Sequence, residues 1–405
     1  MKRLEDYRGI VEDEILADLH KRASKLYDRH IVHVNSTAQG GGVAEMLYTL
    51  IPLMNDAGVD AGWRVLVGGT DFFNVTKAFH NGLQGEPINL SEQKKRLYTQ
   101  VNEAFSQYTH ITTHDAVVIH DPQPLPIIKF YKKRQPWIWR CHIDLSDPNP
   151  KLWEFLQGYI LRYDLMIVSH EAYLRPDLPI EQRIVNPAID PINQKNVALP
   201  DATIARYMKR YGIPLDKPLI TQVSRFDKWK DPLGVIEVYK RVRERVDCRL
   251  VLAGNMATDD PEGFTIFEKV KRRAGGLLDR GDVILMIGAS DAEINALQRM
   301  SSVVLQKSLR EGFGLTVSEA MWKGTPVVAS AVGGIPLQVI DGDTGFLVEP
   351  NDLDLCANRI VEILTDDKLA EELAVRGKEH VRENFLITRL LGHYLALLDS
   401  VLNES

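Results

Sequence analysis

Short runs of β-branched and aliphatic residues recur through the first half of the chain: "IVHVNS", "WRVLVGG", "AVVIHD", "WIWRCHID" and "LMIVSH", with stretches of helical character between them. Such an alternation predicts strands of a parallel sheet connected by helices. A second series, "PLITQVSRF", "CRLVLAG", "VILMIG", "SVVLQKS" and "TPVVAS", repeats the pattern, again with helical stretches such as residues 231–245. Between the two series "NPAIDPINQKNVALPD" is rich in Pro and Asn and has no periodicity, which predicts a linker near residues 186–202. The simplest architecture is α/β, with two doubly wound domains facing one another. Ligands of such sheets bind at the carboxyl ends of the strands, so the expected site is a cleft.

Length agrees with this reading, because 405 residues exceed what one core usually supports. The formal charge of −6 is spread over both signs without long blocks, which argues against nucleic acid or an anionic membrane surface as partner. Cys141, Cys248 and Cys356 are widely spaced and suggest neither a disulfide framework nor a metal cluster, as expected of a cytoplasmic protein. The N-terminal stretch has no apolar signal core, and nowhere do about 18 apolar residues run together. A soluble protein without a classical export signal is expected.

Four loops after predicted strands carry candidate chemistry. In "NSTAQGGGVAEML", Gly40, Gly41 and Gly42 open a helix directly after a strand, without the Gly-x-Gly-x-x-Gly spacing of a dinucleotide site. They suit a tight turn as well as an anion or sugar contact at a helix entrance. In "VSRFDKWKDP", Arg225 closes a strand and Lys230 stands at the mouth of the next helix, with Lys228 between them. These charges suit either a solvated surface or a phosphate, which Arg grips with a fork of donors and Lys with a point charge. In "WIWRCHIDLSDPNP", His142 ends a strand and precedes Asp144 and Asp147, so it serves either structure or a reacting sugar. No HExxH, CxxC or carboxylate–histidine cluster appears, so no protein-bound catalytic metal is predicted.

The fourth loop is "SLREGFGLTVSEAMWKGTPVVAS". Here Glu311 precedes Gly-Phe-Gly, and Glu319 lies on the helix that follows, stopped by Gly324 and Pro326. Leu315, Val317, Ala320 and Met321 leave little of this helix for water, so Glu319 is expected to be partly buried and in need of a partner. A ribose diol would supply two hydroxyl donors.

These residues in this order resemble the retaining nucleotide-sugar glycosyltransferases of the GT-B fold, specifically glycosyltransferase family 4. The likeness spans nearly the whole chain and is densest in the second half: Glu-x7-Glu from Glu311 to Glu319, the Arg225 and Lys230 pair, and "GGIPLQVIDGDTGFLVEPND". Within that family "QVSRFDKWKDPLGVIEVYKR" and "GGGVAEML" are most similar to the trehalose-forming synthases, which join a nucleoside-diphosphate glucose to free glucose. Leu337 stands where much of the family has Glu, and Asp231 where Gly often follows the phosphate lysine. The corresponding boundaries are an acceptor-side domain at residues 1–190, a nucleotide-sugar domain at 203–385, and a terminal helix at 386–405 returning to the first domain.

The resemblance implies roles. Glu319 would hold the ribose hydroxyls and Glu311 those of the donor hexose. Arg225 and Lys230 would neutralise the pyrophosphate, helped by the N–H groups of Gly312, Phe313, Gly314 and Leu315. His142 would face the donor sugar, while Gly41 and Gly42 would let the N-terminal loop approach the phosphates and acceptor. It implies front-face attack with domain closure against water, and no cofactor beyond the nucleoside-diphosphate glucose, with Mg conceivable on the diphosphate. The partners would be the nucleotide sugar, glucose or trehalose, and a second copy in a homodimer. Three rival readings remain at this stage: a retaining trehalose phosphorylase with inorganic phosphate in place of the nucleotide, a Rossmann-cofactor epimerase or dehydrogenase, and a nucleotide-sugar binding module without turnover.

Overall fold

The apolar runs form two parallel sheets. A computed structural model describes residues 2–38, 41–254 and 261–403, with backbone only for residues 261 and 262. The chain divides into one unit of residues 1–188 with 387–405, and a second of residues 189–386.

In the first unit the strands are β1 (His30–Asn35), β2 (Asp60–Val65), β3 (Ala116–His120), β4 (Trp137–Arg140), β5 (Leu165–Val168) and β6 (Glu181–Ile184). Their order is β2-β1-β3-β4-β5-β6, every pair parallel. Strands β3, β4 and β5 are buried along their whole length, the consequence of helices covering both faces. Trp137, Trp139, Phe72, Phe79 and Tyr98 fill one side of this core. The helix Ile387–Asn403 packs on the helix Asp13–Ala23, and Lys25 Nζ lies 2.6 Å from Asp399 Oδ2 beside it.

The second unit contains β7 (Leu219–Val223), β8 (Arg249–Gly254), β9 (Val283–Ile287), β10 (Val303–Gln306), β11 (Val327–Ser330) and β12 (Phe346–Val348). They pair in the order β12-β11-β10-β7-β8-β9, again all parallel. The chain winds outward from β7 to one edge and then returns to start the other half at β10. The crevice where the order reverses therefore opens at the carboxyl ends of β7 and β10. In the first unit the same reversal falls between β1 and β3.

Two strands are absent from the sequence pattern. β6, "EQRI", and β12, "FLV", are edge strands; the first is polar and largely uncovered, the second only three residues long. An edge strand has one hydrogen-bonding side and less of its surface to bury, so it needs no apolar run. The segment read as a linker also differs: residues 189–202 belong to the second unit. Asn196 is buried there, its Nδ2 donating to Asp190 O at 2.9 Å, and Asn295 Nδ2 donates to Val197 O at 2.7 Å. Pro and Asn broke the periodicity because they build turns, and those turns are packed.

Candidate active site

In the second unit, the loop after β7 turns through the single helical turn Lys228–Lys230 and enters the helix Pro232–Arg243. Asp227 Oδ1 accepts from Trp229 N–H at 2.7 Å and fixes the turn. Asp231 then adopts φ +43°, the left-handed region that favours glycine. Its carboxylate caps the helix by accepting from Gly234 N–H at 3.0 Å and also pairs with Lys307 Nζ. Lys307 is buried and follows β10 directly. Gln222, at the end of β7, ties the two loops, accepting from Lys307 N–H at 3.0 Å and donating to Lys230 O at 2.9 Å.

That framework brings Lys230 and Glu311 together: Lys230 Nζ forms an ion pair with Glu311 Oε2. Ser308 Oγ and Gln306 Nε2 donate to the same oxygen at 3.1 and 3.2 Å. A carboxylate this buried has several donors to offset its lost hydration. The Arg225 side chain, by contrast, is exposed and makes no hydrogen bond or ion pair with any described residue, although its carbonyl accepts from Asp227 N–H at 2.9 Å.

Gly314 closes the loop at φ +86° and starts the helix Leu315–Trp322. A side chain there would be strained by the backbone and would press on Glu311 and Ile335. Gly334 is equally constrained: an added Cβ would lie 2.7 Å from the Phe313 ring. Gln338 Nε2 donates to Phe313 O at 2.5 Å, pinning the loop from behind. The N–H groups of Phe313, Gly314 and Leu315 have no acceptor among the described residues, so this helix entrance offers donors to an anion.

Glu319 is buried on that helix, and its partner is a residue the sequence did not single out. Lys195 Nζ lies 3.8 Å from Glu319 Oε1 and 3.7 Å from Asp291 Oδ1. Lys323 Nζ donates to Glu319 O at 2.9 Å and to Asn196 Oδ1 at 2.7 Å. Burial, with Arg299 and Lys195 nearby and Glu319 opposing, brings the Lys323 ammonium down to about 7.

In the first unit, Gly41 has φ +94° and precedes the helix Gly42–Asp56. No atom lies within 4 Å of a Cβ built on Gly41, so its backbone angle demands glycine and steric crowding does not. Gly42 takes the first helical position, and Gly40 lies outside the described residues.

His142 follows β4, and its Nε2 sits 3.0 Å from Nδ1 of His120, the last residue of β3. His120 Nε2 in turn is 3.0 Å from Nδ1 of His33 on β1. Asp121 Oδ1 accepts from the His142 N–H at 2.8 Å, and burial pushes its carboxyl up to about 7. Asp144 instead folds into its own turn, its Oδ1 accepting from Ser146 N and Oγ at 2.9 and 2.6 Å. Strand ends are where chemistry gathers in such sheets, so His120 and Asp121, at the end of "AVVIHD", could have been found by the rule that found His142. No group of three or more His, Cys, Asp or Glu able to hold a metal occurs among the described residues. All three cysteines are free and buried. No helix is long and apolar enough to cross a membrane among the described residues.

The family model for the N-terminal domain of trehalose synthase matches residues 33–175, and that for glycosyl transferases group 1 matches residues 203–380. The trehalose synthase of Thermococcus litoralis is 49% identical over 402 residues, covering 98% of this chain and 97% of the relative. The trehalose synthase of Pyrococcus furiosus gives the same identity and coverage. Among solved structures, a sucrose-phosphate synthase from Thermosynechococcus elongatus superimposes with a TM-score of 0.72 at 20% identity, covering 93% of this chain and 100% of the other. That likeness concerns the fold, which is GT-B. Similarity at this level, along nearly the entire length, settles the family: the chain belongs to the trehalose synthases, within the glycosyl transferases.

Proposed function

We propose that the protein transfers glucose, with retention, from a nucleoside-diphosphate glucose to free glucose, forming α,α-trehalose in a reversible reaction. What supports this most directly is the grouping of Arg225, Lys230, Glu311 and three open N–H groups on the loops after β7 and β10. In this reading the Arg225 side chain, exposed and without a partner among the described residues, takes the diphosphate together with the helix-entrance N–H groups. Lys230 exchanges part of its pairing with Glu311 for a phosphate oxygen, which frees Glu311 for the hydroxyls of the hexose. Glu319 takes the ribose, and His142 a hydroxyl of the transferred glucose. Gly41 and Gly42 keep side chains away from the phosphates and acceptor.

As the bond from the anomeric carbon to the phosphate oxygen breaks, negative charge grows on the leaving group, and the cations act where it develops. The acceptor oxygen bonds to the same face of that carbon and gives its proton to the departing phosphate. Trehalose joins two anomeric carbons through one oxygen, so whichever C–O bond breaks, the departing glucose leaves through an anomeric oxygen, more readily than an ordinary alkoxide, and the same contacts serve the reverse direction. We also take the enzyme to act as a homodimer, which light scattering after gel filtration checks.

The test is incubation of the chain with nucleoside-diphosphate glucoses and glucose, the product being read by proton NMR. One non-reducing disaccharide with equivalent α-anomeric signals is expected. A reducing disaccharide, a β-linkage, or turnover of trehalose that requires inorganic phosphate and no nucleotide would overturn the reading.

A further inference from the structure

Three histidines form a continuous line across the sheet of the first unit. His33 on β1, His120 at the end of β3 and His142 just after β4 come from three neighbouring strands. The rings are stacked, with centroids 5.3 Å apart in both steps and interplanar angles of 27° and 13°. The bonds run His33 Nδ1 to His120 Nε2 and His120 Nδ1 to His142 Nε2, each 3.0 Å. His33 and His120 are wholly buried, and His142 is half-buried at the outer end. No described residue bonds to His142 Nδ1.

Burial favours the neutral form of all three rings. Burial brings His33 down to about 3, and burial with neighbouring His142, His33 and Arg140 holds His120 well below the ordinary range. Burial with Arg140 does the same to His142. A neutral imidazole has one N–H and one lone pair. Each N···N contact needs one of each, so the three protons are coupled: either all three rings carry hydrogen on Nδ1, or all three carry it on Nε2.

The inner end chooses between these states. His33 Nε2 and Tyr394 Oη are each enclosed without a hydrogen-bond partner among the described residues. The Tyr394 ring lies against His33 with centroids 5.7 Å apart. With hydrogen on Nε2, His33 would bury an N–H donor with no acceptor among the described residues. With hydrogen on Nδ1 it leaves only a lone pair there, the more tolerable choice, since an orphaned buried N–H is rarer than an under-satisfied acceptor. We propose that His33 and His120 are positioning residues that hold His142 in the Nδ1-protonated form, so that its outer nitrogen meets the sugar as a hydrogen-bond donor. This rests on the reading that His142 contacts the transferred sugar. It makes the outer nitrogen unable to act as a base.

The full chain, with its 11 histidines labelled with ¹⁵N, tests the proposal by two-bond ¹H–¹⁵N correlation. The His142→Asn spectrum assigns the His142 signals. A protonated Nδ1 and a bare Nε2 on His142 are expected; a protonated Nε2 overturns the proposal. His120→Phe should give His142 a mixture of both forms and lower kcat about five- to tenfold, with nucleoside-diphosphate affinity unchanged. Pure Nδ1 protonation of His142 in a folded His120→Phe variant would show that the line does not set the tautomer. If that variant does not fold, the wild-type spectrum alone decides. A chain with the expected spectrum that forms no disaccharide would sink the functional reading and leave the histidine line standing. A chain that forms trehalose with Nε2 of His142 protonated would do the reverse.

Discussion

Lys230 and Glu311, 81 residues apart in the chain, share one ion pair at the carboxyl ends of two hydrogen-bonded strands. The pair neutralises two charges that the proposed reaction needs separately, so the donor must compete with a contact already made. Pairing also keeps both groups in place, since an unpartnered charge here would lack both water and counter-charge.

Lys230→Ala is expected to lower kcat about ten- to a hundredfold, the equivalent of one charged hydrogen bond of roughly 1.5–3 kcal/mol. The KM for glucose should hardly change, because the lysine meets the leaving diphosphate. Steady-state kinetics at saturating donor check this, and an unchanged kcat would remove Lys230 from the reaction.

Glu319→Ala should weaken nucleoside-diphosphate binding by about ten- to a hundredfold on the same scale. It also removes a carboxylate that lies 3.8 Å from Lys195 Nζ. Calorimetry with the free nucleoside diphosphate and with inorganic pyrophosphate separates the two effects. Loss confined to the nucleoside diphosphate supports the ribose contact, whereas equal loss for both points to a shift of the lysine.

Lys307→Met removes the ion-pair partner of Asp231 and should destabilise the second unit by about 2–3 kcal/mol, less than the roughly 3–5 kcal/mol of a fully buried pair because Asp231 is part-exposed. Adding Asp231→Asn should recover much of that loss, because an amide still accepts from Gly234 N–H and carries no charge. Denaturant melts of the single and double variants measure the coupling; purely additive losses would mean that the pair contributes nothing as a pair.

Asp121 gives a pH dependence with a definite sign. Its carboxyl is raised from 3.8 to about 7, chiefly by burial, so folding favours the protonated form. The stability it contributes is complete below about pH 4, falls as the unfolded chain ionises first, and is lost by about pH 7. The whole effect is at most about 4 kcal/mol and smaller because part of the residue is exposed. Asp121→Asn should flatten this decline while still accepting from His142 N–H. Thermal melts of both proteins at pH 4, 5.5 and 8 check it, and parallel curves would contradict the shift.

The sequence by itself determined the two α/β sheets, because central strands buried on both faces must be apolar throughout and so announce themselves. It also placed the candidate residues Arg225, Lys230, Glu311 and His142 on loops that follow such runs, where a parallel sheet puts its open ends. Edge strands β6 and β12 left no such mark. The partnerships were decided by tertiary structure alone. Lys195 reaches Glu319 only because the Pro- and Asn-rich segment folds onto the second unit, and Lys307 looks like any strand-end lysine until Asp231 meets it. His33 reads as a half-polar interruption of a strand, yet the order β1-β3-β4 sets it in line with His120 and His142. Periodicity reports how much of a residue is covered. Which residue covers it depends on strand order, and strand order is fixed by packing between segments far apart in the chain.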